Sequence, residues 1–371
     1  MAIDNIALAI ATTDNCRYCL MCRHVCPVGH VTMLETLTPH GWGLLIASER
    51  RGLIAWNASS VEKLFSCADC GACRAHCVTD QPLPNAIAAA RAAVVEQNLA
   101  PATVVAAGEA LAQWGNPYKP IKPQPATGTG EVALFVGDEA AYLWPEVLPA
   151  VLKLLAATGV TPVLIGAGRN NGYLATSLGF PAMGKSLAQA VLDDLRASGA
   201  RQLLVLTPGD YYVFRDLYDE RLGLSLPKDV EVTEVLVYLA ERLAAGDLAF
   251  RRFEDAPPYA YVDPAHSVRV TTRYEAPRQL LAAVMPSPGS ELFWRRDRTH
   301  PAGSTSLKFA NPQLADHLTY ARLGDAVQVG ARLLISEDPG TLSALVAHSA
   351  RFGVRVQGLY ELLADHLISD H

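Results

Sequence analysis

Eight cysteines are the residues in this chain best suited to chemistry, and they come in two runs. The first is "CRYCLMCRHVCP", with Cys16, Cys19, Cys22 and Cys26 followed by Pro27. The second is "CADCGACRAHC", with Cys67, Cys70, Cys73 and Cys77. Cys67 follows Cys16 by 51 positions, and the other three pairs keep the same offset. The pattern C-x2-C-x2-C-x3-C is therefore duplicated, and no cysteine occurs after Cys77. Thiolates are soft ligands for iron and zinc, and this spacing is that of bacterial ferredoxin-type [4Fe–4S] sites.

The spacing has a physical logic. Three cysteines in one tight loop reach three irons of one cubane, while the fourth opens a helix that leads away and reaches the other cluster. The expected ligand sets therefore cross: Cys16, Cys19, Cys22 and Cys77 hold one cluster, and Cys67, Cys70, Cys73 and Cys26 hold the other. Pro27 fixes φ where the chain turns after Cys26, whereas Cys77 is followed by Val78, with prolines only at Pro82 and Pro84. Zinc would more often take two CxxC pairs separated by a longer loop. Disulfides would be spread along a secreted chain rather than confined to one fifth of it. Arg17, Arg23, His24, Arg74 and His76 lie within the runs, and positive charge near cluster sulfurs raises the reduction potential; solvated surface is the plainer reading of these cations.

The elements that must carry these runs follow from composition and pattern. The 371 residues are 50% hydrophobic and 18% charged, enough for a sizeable core in two or three domains. A net charge of −6 speaks against nucleic acid as a partner. No apolar run approaches the roughly 20 residues of a spanning helix. The opening "MAIDNIALAIATTDNC" has no basic start and does not read as a signal peptide. A cytoplasmic place is expected, with peripheral attachment to the inner face of a membrane compatible. "PLPNAIAAARAAVVEQNLA" predicts a helix capped at Asn85, and "ATVVAAGEALAQW" a second one. The proline- and glycine-rich residues 115–130 predict a linker.

Beyond it, strands alternate with helices. "EVALFVG", "TPVLIGAG", "RQLLVLTPG", "PYAYVDPAH", "SELFWRR" and "ARLLISEDPG" read as strands. "SLAQAVLDDLRASGA", "VTEVLVYLAERLAAG" (capped by Thr233), "ANPQLADHLTYARLG" and "TLSALVAHSARFG" read as helices. Such alternation predicts an α/β architecture with mainly parallel sheets. It repeats, with "LLVLTPGDYY" matching "LLISEDPGTL", so two similar lobes are expected. The organisation is then an α-helical domain with two ferredoxin-type [4Fe–4S] sites over residues 1–114, a linker over 115–130, and α/β lobes over 131–256 and 257–371.

Taken together, the two cysteine runs, the "TLTPHGWGLLI" stretch, "ARAAVVEQNLAPATV" followed by "GNP", and the duplicated lobes resemble the iron–sulfur subunits of glycolate oxidase, anaerobic glycerol-3-phosphate dehydrogenase and heterodisulfide reductase. In that family each lobe carries a Cys-Cys-Gly motif that can hold an unusual, non-cubane iron–sulfur centre. Here the corresponding places read Gly166–Ala167–Gly168 and Pro301–Ala302–Gly303, and the Asp-Pro-Cys-His element reads Asp263 to His266 with alanine for cysteine. With no thiolate left in either lobe, no non-cubane cluster is expected there. The resemblance implies an electron-transfer subunit, itself without catalytic residues. Its partner would be a flavoprotein dehydrogenase, and its acceptor a quinone-linked membrane component or an electron-transfer flavoprotein. The alternative is an oxidoreductase using the relict pocket of the lobes on a small molecule, and a regulatory redox sensor is a weaker third reading.

Three further features invite weaker readings. "GAGRNNG" has the look of a dinucleotide turn, but the acidic residue expected at the end of a following strand is missing. Asp263, His266, Arg269, Arg273 and His300 could line the relict pocket, or be turn residues with satisfied polar groups. "FWRRDRTH", with Arg295, Arg296 and Arg298, suits docking to an acidic partner, or is a solvated strand end.

Overall fold

A computed structural model describes Thr13 and residues 16–270 and 273–368. The opening segment, read above as no signal peptide, lies outside the described residues apart from Thr13. The cysteine domain is helical: α1 (Met21–His24), α2 (Pro27–Thr32), α3 (Pro39–Arg50), α4 (Ala58–Leu64), α5 (Ala72–Ala75), α6 (Leu83–Glu96) and α7 (Ala102–Trp114). Helix α6 is capped at Pro82 rather than Asn85. With Pro84 in its first turn, where no amide partner is needed, the helix opens earlier. Asn85 instead bonds Arg221 and Glu220 across the domain boundary.

The first lobe runs β1 (Val132–Phe135), α8 (Gly137–Tyr142), α9 (Val147–Ala157), β2 (Val163–Ile165), α10 (Tyr173–Ser177), α11 (Pro181–Ser198), β3 (Gln202–Val205), α12 (Pro208–Tyr212), β4 (Glu231–Glu234) and α13 (Val235–Ala245). Its parallel sheet has the order β2-β1-β3-β4. Helix α12 continues without a break as a wider, π-type helix over Val213–Leu222. Thr233 does not cap a helix: it pairs with Leu204 inside β4, because the alternating Glu231-Val232-Thr233-Glu234 completes the sheet before the helix begins.

The second lobe runs β5 (Tyr259–Tyr261), α14 (Ala276–Val284), α15 (Leu307–Ala310), α16 (Pro312–Gln328), β6 (Leu333–Ser336), α17 (Pro339–Ser349), β7 (Arg355–Gly358) and α18 (Leu359–His366). Its parallel sheet is β5-β6-β7, one strand shorter than that of the first lobe. The expected strand "SELFWRR" is reduced to one parallel bridge, Ala260 to Ser290. Arg296 takes a positive φ of 53° there, Arg295 bonds back to the Leu292 carbonyl, and the chain turns instead of extending. The chain is thus α/β, with two parallel sheets.

The lobes are not independent. Leu134 and Leu204 of the first sheet share one core with Tyr259, Leu333 and Ile335 of the second, closed by α9 against α18. A different core joins the cysteine domain to both lobes: Trp42, Leu64 and Ile87 pack with Leu174 and Leu178 of the first lobe and Leu307 and Leu314 of the second. The expected linker 115–130 has no regular structure but is strapped down. Gln124 and Thr127 bond the backbone of 164 and 167, and Asn116 is buried. Among the described residues no helix is long and apolar enough to cross a membrane.

Arg91 joins these parts. Its side chain is fully buried, with no carboxylate partner among its hydrogen bonds, and it donates to the carbonyls of Leu64, Cys67 and Ser177. Removing it strands three buried acceptors, at about 1–3 kcal/mol each. Denaturant unfolding of Arg91→Leu should therefore show a loss of roughly 3 kcal/mol or more; a variant as stable as the parent would remove Arg91 from this role.

Candidate metal centre

The duplication reaches the backbone. Tyr18 and Leu20 of the first run have positive φ (53° and 63°), and their counterparts Asp69 and Gly71 do too (49° and 78°). Helices α1 and α5 then start and stop at equivalent positions. Left-handed backbone at tyrosine, leucine and aspartate costs of order 1–2 kcal/mol per residue, and such strain persists where a loop must curl around something. The runs diverge only after the fourth cysteine. Cys26 caps α2, accepting from the Gly29 amide at 3.4 Å, with Pro27 in the first turn. Cys77, lacking the proline, enters an irregular turn before α6.

The cysteines face two adjoining cavities. One, of about 70 Å³, is lined by Cys16, Cys19, Cys22 and Cys77, with Cys73 at its inner wall. The other is lined by Cys26, Cys67, Cys70 and Cys73. Each fourth cysteine thus sits with the other run's first three, and Cys73 borders both spaces. The first cavity is walled largely by apolar groups and opens near the exposed Cys19, while the second is buried against Pro27, Val28 and Trp42. No disulfide joins any of the eight.

Soft thiolate quartets of this kind could hold an iron–sulfur cubane or a single thiophilic ion. Four thiolates on one zinc lie within about 4 Å of one another, since each Zn–S bond is near 2.3 Å. Among the described residues no group of three or more histidine, cysteine, aspartate or glutamate side chains is placed to hold a metal ion. Backbone amides of Tyr18, Gly29 and Asp69 donate to Cys16, Cys26 and Cys67 at 3.3–3.4 Å, the kind of contact that tunes cluster potentials. Burial, then repulsion from neighbouring thiols, pushes Cys22 up to about 11. Burial alone dominates at Cys70, pushed up to about 12, and at Cys67, pushed up to about 11 despite Arg91. Cys77 is lowered: its burial is outweighed by hydrogen bonds from the Thr79 hydroxyl and the Gln81 and Thr79 amides. Four thiolates in one such cage need a cationic centre to hold them together.

The cations expected to tune the runs are mostly engaged. Arg23 pairs with Glu35, and Arg74 with both Asp80 and Glu220. His76 lies 3.8 Å from Asp297, and the His24 carbonyl accepts from His30. Only Arg17 faces the first cavity directly. The charges of Arg23 and Arg74 are therefore offset by neighbouring carboxylates.

Asp69, between Cys67 and Cys70, connects the second run to both lobes. Its buried carboxylate takes two bonds of 2.8 Å from Arg221 on the π-type helix and one of 2.6 Å from Ser177. Its carbonyl accepts from His266 at 3.0 Å and from Tyr173 at 3.2 Å. A carbonyl only accepts, so His266 Nε2 carries the proton; burial keeps this imidazole neutral, leaving Nδ1 as an acceptor. Its ring lies between Tyr173, edge-on, and Tyr212, stacked.

His266 also borders a polar cavity of about 90 Å³ between the lobes. The parallel strands end there, and the helices that follow β1, β3 and β6 bring Asp138 and Glu139, Asp210, and Asp338 to it. Thr207 caps α12 by accepting from the Asp210 amide, and Asp338 caps α17 by accepting from Thr341. The matched "TPGD" and "DPGT" turns thus use the same capping geometry with the two residue types exchanged. The stretches after the Gly166–Gly168 and Pro301–Gly303 turns contribute Asn170 and Asn171 from one lobe and Ser304 to Ser306 from the other. Gly303 must stay glycine, with a φ of 80° and the Ala315 carbonyl where a Cβ would stand.

The remaining candidates have structural partners. Arg273 is buried between Glu234 and Glu337, and Asp263 is held by Arg278 and the Arg296 amide. Arg269 lies over Tyr212. His300 stacks on Trp294 at 3.9 Å, and burial with Arg322 nearby pushes it down to about 2. So of the five residues proposed for the relict pocket, only His266 lines the cavity. Arg295, Arg296 and Arg298 lie beside Glu291, Glu275 and Asp297, so the "FWRRDRTH" patch is not free positive charge. The "GAGRNNG" turn is filled by Phe135 and Tyr142, and a helix of only five residues follows it. Sequence reasoning missed Asp69, Arg91, Arg221 and the four cavity carboxylates; an acidic residue just past each strand end was the available signal.

Two outcomes follow. Asp69→Asn should lower stability by about 3–5 kcal/mol, because Arg221 then loses its buried counter-charge; denaturant unfolding that matches the parent would contradict this. Burial pushes Asp138 up from an ordinary 3.8 to about 6 in spite of Asn170. A carboxyl raised on folding destabilises progressively as pH climbs from about 4 through 6. Asp138→Asn should therefore gain about 1 kcal/mol relative to the parent between pH 5 and 7.5 in paired unfolding curves, and a difference that ignores pH would contradict it. No protein-family model matches the chain. No curated protein matches it either. A solved structure, described as a hypothetical protein from Helicobacter pylori, is similar in fold, with a TM-score of 0.59 and 11% identity over 90% of this chain and 68% of that one. At that identity the likeness is of fold alone.

Proposed function

We propose that this chain is an iron–sulfur electron-transfer subunit of a flavin-dependent dehydrogenase assembly, related to the subunit family it resembles. The observation that supports this most is the exchange of fourth cysteines: Cys77 lies with Cys16, Cys19 and Cys22, and Cys26 with Cys67, Cys70 and Cys73. When bound, each [4Fe–4S] cluster would accept and release one electron.

The chain's own residues do the rest. The eight thiolates hold the two centres side by side, with Cys73 on the wall between them. Trp42, Val28 and Pro27 keep water from the inner site. At the outer site Tyr18, Met21 and Leu44 are exposed large apolar side chains that line the same cavity as the exposed Cys19. That rim is where a redox partner would approach closely enough for transfer. The partner would be a flavoprotein, and the acceptor a quinone-linked component or an electron-transfer flavoprotein. The α/β lobes would serve as its docking scaffold. A second reading, an oxidoreductase working on a small molecule between the lobes, draws on the interlobe cavity, whose polar lining nothing in the first reading uses.

Paired variants separate crossed from uncrossed ligation. In anaerobic EPR of the reduced protein, Cys77→Ser and Cys16→Ser should perturb one and the same cluster signal, and Cys26→Ser and Cys67→Ser the other. Pairing of Cys77→Ser with Cys67→Ser would overturn the assignment. Co-purification with a flavin-bearing subunit whose substrate bleaches the cluster absorbance favours the first reading. Turnover by the isolated chain with an artificial electron acceptor favours the second.

A further inference from the structure

The interlobe cavity has a one-sided chemistry. Asp138, Glu139, Asp210 and Asp338 converge on it, and no arginine or lysine lines it. Among the described residues none of the four is in an ion pair. The donors that reach them are neutral: Asn170 to Asp138 at 3.0 Å, Asn171 and Thr207 to Asp210 at 2.8 and 2.9 Å, Tyr118 to Glu139 at 2.9 Å, and the Thr341 amide to Asp338 at 2.6 Å. Lys308 sits over the Tyr118 ring and eases Glu139 without pairing with it. Burying several carboxylates without cations costs several kcal/mol per group, and both burial and mutual repulsion push Glu139 upward.

A second observation points independently to a ligand. Thr305 lines the same cavity, is 5% exposed, and its hydroxyl has no hydrogen-bond partner in the structure. His266 adds Nδ1, an acceptor left over once Nε2 donates to Asp69. Each asparagine amide gives one N–H, and the Tyr118 hydroxyl its O–H, to the carboxylates. The lining is therefore rich in acceptors and poor in free donors, so an occupant must bring both positive charge and N–H or O–H groups. A bare metal ion is a poor candidate, because among the described residues no three histidine, cysteine, aspartate or glutamate side chains are placed to hold one. At roughly 15 Å³ per water-sized position, about 90 Å³ accommodates about six heavy atoms.

From this we infer that the cavity between the lobes is a binding site for a small organic cation, a protonated primary amine of a few carbons. Its ammonium lies among Asp138, Asp210 and Asp338, with Thr305 and His266 Nδ1 as neutral partners. The occupant sits two hydrogen-bonded residues, His266 and Asp69, from the Cys67–Cys70 loop. The site stands on the cavity alone and does not need either cysteine quartet to be filled.

Calorimetric titration of the anaerobically purified full chain tests it, with methylammonium, propylammonium and butylammonium chloride as probes and butanol and magnesium chloride as controls. At least one ammonium should bind with a dissociation constant of about 1 mM or tighter, and butanol should not bind. Asp210→Asn and Asp338→Asn should each weaken that binding about tenfold, about 1.4 kcal/mol per charge removed; both substitutions keep a side chain able to hold the local turn. Three results would overturn the site: no ammonium binding, butanol binding as well as butylammonium, or affinity unchanged in both variants. Preferential binding of magnesium would replace it with a metal site. Iron and sulfide measured on the same sample report on the electron-transfer reading separately, so the two can fail independently.

Discussion

The contact on which the rest of this structure depends is Asp69 with Arg221. One residue, placed between two cysteines of the second run, offers its carboxylate to the first lobe and its carbonyl to both. A buried ion pair of this kind contributes little net stability against an apolar substitute, yet breaking it is costly because the survivor is left charged and dry. It therefore acts as a constraint on geometry. The Cys67–Cys70 loop holds its curl because the π-type helix, α10 and the His266 turn are all anchored on the same peptide.

That anchoring also explains the arrangement of the two candidate sites. The second cysteine cavity and the interlobe cavity lie on either side of Asp69 and His266, so whatever alters one can be felt by the other through two hydrogen bonds. The lobes meet with the carboxyl ends of their strands turned toward each other, which is where open parallel sheets place ligands. The turns at this interface carry aspartate, asparagine, serine and threonine, and their surroundings are rich in acceptors.

Much of this was legible in the sequence, and the reasons are physical. A thiolate pattern at fixed spacing leaves few folds that can use it, so the grouping of Cys77 with the first run could be expected from residue numbers alone. Strands β3 and β6 were legible as apolar runs ending in Pro-Gly turns, and the helix over 102–114 from its uninterrupted periodicity, whereas β7 went unread. Strand β4 was not legible either, because Glu231-Val232-Thr233-Glu234 reads equally well as the entry to the helix that follows. "SELFWRR" misled in the opposite direction: aromatic residues suggested a strand, but Trp294 is taken by His300 and His30 and pulls the chain off the sheet edge. The buried polar network was invisible, since Asp69, Arg91 and Arg221 are far apart in sequence and only the tertiary fold pairs them. The cavity carboxylates were present in the quoted turns but looked like ordinary helix caps.

The central claim is that the eight cysteines hold two four-iron clusters. Chemical analysis of iron and acid-labile sulfide in anaerobically purified full-length protein tests it most directly. The account predicts about eight of each per chain. Zinc in their place, iron without sulfide, or a ratio near four would contradict it.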